Sequence, residues 1–84
     1  MNALKTARKF IASNPNDPSA QLLSRLVMAL ESEVDFPIAD IYKLDFQRFE
    51  LALRIMQEWR LDRYYTGKIR LFDISLQAAT AQTQ

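Results

Sequence analysis

The densest mixture of functional side chains in this chain lies at residues 59–65, which read Trp-Arg-Leu-Asp-Arg-Tyr-Tyr. Tryptophan, tyrosine and arginine are enriched at the energetic centres of protein interfaces. The sequence therefore predicts a partner-binding surface at this run. Its candidate residues are Trp59, Arg60, Arg63, Tyr64 and Tyr65.

The two arginines of this run need partners for their guanidinium groups. If residues 46–65 form one helix, Arg60 and Arg63 fall within or beside its apolar sector, so their charges cannot simply be assigned to solvent. One interpretation is structural: the stems pack on the core and the heads pair with an acidic segment. The other is that they engage a partner protein or an anion, and the sequence leaves both open. The acidic candidates for pairing are Glu31, Glu33, Asp35 and Asp40.

Three aspartates recur every five residues around Pro37, at positions 35, 40 and 45. Such spacing invites a metal or acid–base interpretation. Capping and turn chemistry explain it better, because aspartates beside a proline-marked helix boundary bind free backbone N–H groups. The chain also has no histidine, no cysteine and no phosphate-binding glycine motif. We therefore predict a protein that is not an enzyme, with no catalytic residue, no cofactor and no metal site.

Nucleic-acid binding is the alternative function. A helix over 18–33, a short turn and a helical piece over 38–44 are compatible with a degenerate helix-turn-helix. A recognition helix needs an exposed basic face, however, and residues 38–44 offer only Lys43, with Asp40 beside it. A small DNA-associated regulator is therefore ranked second. It would use the arginines in the second half of the chain together with Lys5, Arg8 and Lys9.

Length and composition bound these functions. The 84 residues are 49% apolar and 25% charged, which suits one globular domain with a single core. No stretch reaches the roughly 20 apolar residues of a membrane span, and the first residues do not read as a signal peptide. The absence of cysteine fits a reducing compartment. We expect a cytoplasmic protein that is not integral to a membrane.

The fold class follows from glycine usage and from helix boundary signals. One glycine in 84 residues favours an all-α fold, because sheet proteins use glycine in hairpin turns. Asn2 is the predicted N-cap of a first helix that ends near Ser13. Asp17 and Pro18 begin a second, because the carboxylate caps free N–H groups and proline needs none there.

The second helix carries a leucine-rich stripe over residues 22–30 and ends near residue 33. Pro37 marks the next boundary, and a short helical piece follows over 38–44. Asp45 then caps the longest predicted helix, over about 46–65, with Gly67 as its left-handed C-terminal cap. Apolar residues cover nearly half of this helix, and an i,i+4 charge ladder on the opposite side is assigned to solvent. The ladder consists of Glu50, Arg54, Glu58 and Asp62.

Beyond Gly67, residues 68–77 fit helical spacing and also strand alternation. Helix is favoured because no partner strand is visible. Residues 78–84 are small and polar, so we expect a disordered tail after a single domain at 1–77. The predicted fold is an all-α bundle of four or five helices around the helix over 46–65, with the leucine stripe of residues 22–30 packed on that helix. The predicted function is a protein–protein interaction or self-associating module, a possible homodimer, with the partner unidentified.

Overall fold

The computed structural model describes the backbone of residues 2–60 and 65–81 and the side chains of residues 2–60 and 68–80. Within these ranges the chain forms four α-helices and one 3-10 helix and contains no strand. The predicted all-α bundle is therefore confirmed. The elements are α1 Ala3–Ser13, α2 Pro18–Ser32, the 3-10 helix Ile38–Lys43, α3 Phe46–Trp59 and α4 Tyr65–Ala81.

Three helices begin at the N-caps that the sequence predicts. In each case a side-chain oxygen of the cap residue accepts a hydrogen bond from a backbone N–H two or three residues further on, which satisfies a donor that the helix itself leaves free. Pro18 occupies the first turn of α2, as expected. The three bonds are Asn2 from Lys5 at 3.0 Å, Asp17 from Ser19 at 2.8 Å and Asp45 from Arg48 at 2.8 Å.

The core forms where α1 and α2 lie between the two C-terminal helices. α4 packs mainly against α2 and α1, while α3 packs mainly against α1 and less extensively against α2. The leucine stripe of α2 is buried except for Leu30, which is half-buried. The packing expected for it is wrong, because α2 lies mainly against α4 and only slightly against α3. The buried side chains of the stripe form one hydrophobic cluster with the inward-facing side chains of the other helices. The largest fully buried apolar side chains are Leu4, Ile11, Leu23, Val27, Ile55 and Leu71.

The helix predicted over 46–65 is shorter than expected. α3 ends at Trp59, and Tyr65 is already the first residue of α4. Gly67 lies inside α4, and no glycine in the described residues has a positive φ, so the left-handed cap predicted there is wrong. Helical spacing of apolar residues continues across this boundary in the sequence, so spacing alone did not reveal it.

α3 also does not occupy the central position that the sequence predicts. α4, with 17 residues, is longer than α3, with 14. The most extensive helix pair is α2 with α4. Glu58 of α3, assigned to solvent within the charge ladder, is half-buried and bonds to the first turn of α1.

The C-terminal helix confirms the helical interpretation of residues 68–77 and extends beyond it to Ala81. Ala78 is only 2% exposed, and its carbonyl accepts a hydrogen bond from the Gln21 side chain. The prediction of disorder from residue 78 is therefore wrong for 78–81, because small side chains let α4 approach α2 closely. Residues 82–84 lie outside the described residues.

The connection between α2 and α3 spans residues 33–45 and is anchored in the core by buried side chains. Glu33 adopts a left-handed conformation, with φ 56°, and ends α2. The piece predicted over 38–44 forms the 3-10 helix, whose Ile41 is buried together with the following Leu44. This anchoring fixes the position of the neighbouring side chains Ile38 and Tyr42, which point away from the core and are largely exposed.

Candidate functional site

The structure describes only part of the predicted partner-binding run. Trp59 is half-buried at the end of α3, and the Lys68 Nζ lies 5.6 Å from the centre of its ring. Arg60 follows as the exposed C-cap residue. Arg63 and Tyr64 lie outside the described residues, and only the backbone of Tyr65 is described, at the start of α4. The structure thus joins Trp59 to Lys68, and it does not assemble the five predicted residues into a described site.

The predicted pairing of Arg60 with the acidic segment is not seen in the described part of the chain. Asp40, the most enclosed acid of that segment, lies 3.1 Å from Lys43 and 4.0 Å from Arg25. The other three acids, at positions 31, 33 and 35, are exposed. Asp40 therefore stabilises the 3-10 helix and its contact with α2, and the exposed Arg60 guanidinium is left available to other groups.

A different surface stands out, formed by the α2–α3 connection and one side of α3. Large apolar side chains there are 42% to 75% exposed: Val34, Ile38, Tyr42, Phe46 and Leu53. Half-buried apolar side chains adjoin them: Phe36, Phe49 and Met56. These eight residues are called the apolar face below. An apolar surface of this extent on a small chain commonly marks a site of interaction.

The α3 part of the apolar face has the spacing of a helix-pairing seam. Phe46, Phe49, Leu53 and Met56 follow one another at intervals of three, four and three residues, as the contact positions of coiled coils do. Ala52 and Ile55, on a neighbouring side of α3, are fully buried in the core. α3 therefore carries two apolar sides, and the bundle covers only one of them completely.

The aromatic side chains of the face are held in place by local contacts. The Tyr42 ring stacks on the Phe49 ring, with centroids 5.5 Å apart and an angle of 29° between the planes. Because Tyr42 is held near α3 by the buried Ile41 and Leu44, its exposed ring is a positioned feature of the surface. Ring stacking adds roughly 0.5–1.5 kcal/mol beyond area burial.

A recess opens into the apolar face between α2, the 3-10 helix and α3. It has a volume of about 180 Å³, and its eight lining residues are all apolar, with Val34, Ile38 and Met56 among them. Small-molecule sites usually measure roughly 300–1,000 Å³ and contain convergent polar groups. The recess therefore suits an apolar side chain of a partner better than a metabolite.

Basic residues line a second groove, between α1 and α3, on the other side of α3. Arg48 and Arg54 line it together with Thr6 and Glu50. The Arg48 guanidinium is already engaged, because it lies 4.2 Å from the centre of the Phe10 ring. Lys5, Arg8 and Lys9, which the DNA-binding alternative would use, lie on α1 and do not line this groove.

The three aspartates around Pro37 serve local structure. Asp45 caps α3, Asp40 forms ion pairs, and Asp35 is exposed. Within the described ranges, no three acidic side chains lie close enough together to hold a metal ion. None of the helices there combines the length and the apolar character of a membrane-crossing segment.

Comparison with known proteins adds no family. The chain matches no protein-family model, and no curated protein or solved structure is significantly similar to it.

Proposed function

We propose that this protein is a non-enzymatic module that self-associates, and that a second copy of the chain covers the apolar face. The observation that carries the proposal is the exposure of Phe46 and Leu53 on the seam of α3, next to Ile38 and Tyr42. Apolar side chains in water cost free energy in proportion to their area, and burial against a second protein surface removes that cost.

The size of the apolar face is that of surface patches that are often functional. Its five exposed side chains present on the order of 500 Å², if their exposed fractions are applied to ordinary side-chain areas. The largest apolar patch of a typical monomer measures about 300–600 Å². A standard interface buries roughly 800 Å² on each partner, so side chains around these five would also have to take part.

The charges beside the seam support a second copy as the partner. Asp45 is exposed at the start of α3, whereas Arg60 is exposed at its end. A helix surface that is acidic at one end and basic at the other is complementary to itself when one copy is reversed. An unrelated partner would have to supply this charge pattern independently.

The alternative, a small DNA-associated regulator, has less support. The 3-10 helix that would have to act as recognition helix has six residues, and its basic residue Lys43 is paired with Asp40. Regular recognition helices are longer and expose a basic face to the major groove. A cytosolic setting belongs to the proposal, on the grounds that the chain has no cysteine to be oxidised.

Sedimentation velocity over a range of concentrations tests self-association. Leu53 and Leu76 form a matched pair, because they are 42% and 44% exposed and lie on different helices, α3 and α4. We expect the wild-type chain to approach twice its mass of 9.8 kDa as concentration rises. Leu53→Lys should remain monomeric with an unchanged circular dichroism spectrum, and Leu76→Lys should associate as the wild type does.

Two results would overturn the proposal. The first is a wild-type chain that stays monomeric up to millimolar concentration. The second is a dimer that Leu53→Lys leaves intact, which would place the interface elsewhere on the surface. A salt-sensitive shift of duplex DNA that Leu53→Lys does not affect would instead favour the DNA-associated alternative.

A further inference from the structure

We propose that the two copies pair through α3 in an antiparallel orientation centred near residue 51. Phe46 of one copy then packs against Met56 of the other, and Phe49 packs against Leu53. The inference depends on the self-association proposed above and adds its geometry. Residues 46 and 56, like 49 and 53, are equidistant from residue 51, so reversal about that point gives every seam residue an apolar partner.

The antiparallel orientation also brings complementary polar groups together. It brings Arg60 towards the 3-10 helix of the second copy, where the Tyr42 ring is 75% exposed. An arginine over an aromatic ring is attracted by the negative face of the ring.

A parallel orientation would place like groups together. Arg60 would meet Arg60, Asp45 would meet Asp45, and the two helix dipoles would point the same way. Like charges at close range oppose association. Both 3-10 helices, each with an exposed Ile38 and Tyr42, would also meet at one end of the interface.

The recess in the apolar face gives Phe46 a place to insert. Met56 forms part of its wall, together with Ile38. In the antiparallel register, Phe46 of the second copy lies over Met56 and therefore at the mouth of the recess. Its ring, 75% exposed in the single chain, becomes covered, and the volume of about 180 Å³ is partly filled.

Cysteine cross-linking tests the register cleanly, because the chain contains no cysteine of its own. Variants F46C and M56C are purified separately and then oxidised under mild conditions, each alone and as an equal mixture. The antiparallel register predicts disulfides between unlike variants, formed at least tenfold faster than between like variants, with the products distinguished by mass. Variants F49C and L53C form a second pair for the same experiment, in case one substitution weakens association.

The outcomes separate this inference from the proposed function. Preferential disulfides between like variants would show a parallel dimer and overturn the register while leaving self-association intact. The absence of any disulfide in both pairs, although sedimentation shows that the variants still associate, would also overturn the register. A wild-type chain that is monomeric by sedimentation would overturn both proposals.

Discussion

The carboxylate of Glu58, near the end of α3, binds the backbone of Ala3 in the first turn of α1. Its Oε2 accepts a hydrogen bond from the Ala3 N–H at 2.9 Å, and its Oε1 accepts one from the Leu4 N–H at 3.2 Å. The first N–H groups of a helix have no partner within the helix, and the positive end of the helix dipole attracts an anion. A residue 55 positions away thus completes the cap that Asn2 begins.

Replacing Glu58 should therefore destabilise the fold through α1. We expect Glu58→Ala to lower the free energy of unfolding by about 1.5–3 kcal/mol, the range for hydrogen bonds to a charged group, as measured by urea denaturation. Glu50 is the matched control, because it is a glutamate of the same helix that is exposed. Glu50→Ala should change stability by no more than about 0.5 kcal/mol, and equal effects of the two variants would contradict the capping role.

Gln21 ties the α1–α2 turn to the C-terminal helix. Its Nε2 donates to the carbonyl of Pro15 and, at 2.8 Å, to the carbonyl of Ala78. The side chain is only 8% exposed, so its loss leaves two carbonyls without their donor. We expect Gln21→Leu to cost about 1–3 kcal/mol of stability by urea denaturation.

Gln57 provides the control for this substitution, because it is an exposed glutamine in the middle of a helix. Gln57→Leu should leave the stability of the monomer within about 0.5 kcal/mol of wild type. If Gln21→Leu were equally neutral, the amide would not be holding α4 in place.

Ser24 and Ser75 are both fully buried but differ in hydrogen bonding. The Ser24 hydroxyl donates to the Ala20 carbonyl at 2.8 Å, whereas the Ser75 hydroxyl has no partner among the described residues. A buried unsatisfied polar group costs about 1–3 kcal/mol, and a satisfied one contributes about 1 kcal/mol. Thermal denaturation should therefore show Ser75→Ala raising Tm and Ser24→Ala lowering it. A fall in Tm for Ser75→Ala would mean that its hydroxyl has a partner after all.

Substitution of Gly67 tests whether this residue is helical or forms a left-handed cap. In the structure it lies in α4, where glycine is less favourable than alanine by roughly 0.5–1 kcal/mol. We expect Gly67→Ala to raise stability by a few tenths to about 1 kcal/mol in chemical denaturation. Substitution of a left-handed glycine would destabilise instead, so a clear loss of stability would support the boundary that the sequence predicts at this position.

Only part of the apolar face can be predicted from the sequence. The excess of apolar residues on α3 is visible in the sequence, and it predicts a helix with apolar residues on more than one side. The sequence does not show which side the bundle covers. Coverage depends on where α1 and α2 lie, and in the structure they bury Ala52 and Ile55 and leave Phe46 and Leu53 partly open.

For the partner-binding run at 59–65, the sequence shows the residue types but not their arrangement. Its residue types are those of an interface, and the sequence assigns them to one continuous helix. The end of α3 at Trp59 and the start of α4 at Tyr65 divide the run between two elements instead. The composition of the run shows that its side chains could form one binding surface. Whether they meet in space depends on the path of the chain.

Taken by itself, the sequence determined the helical class and the starts of three helices at Asn2, Asp17 and Asp45. These features depend on groups within three or four residues of each other, and a cap binds its own first turn wherever the helix lies. Tertiary structure alone decided the roles of Glu58 and of the apolar face. Each depends on groups that are distant in the chain and that meet only when the helices pack.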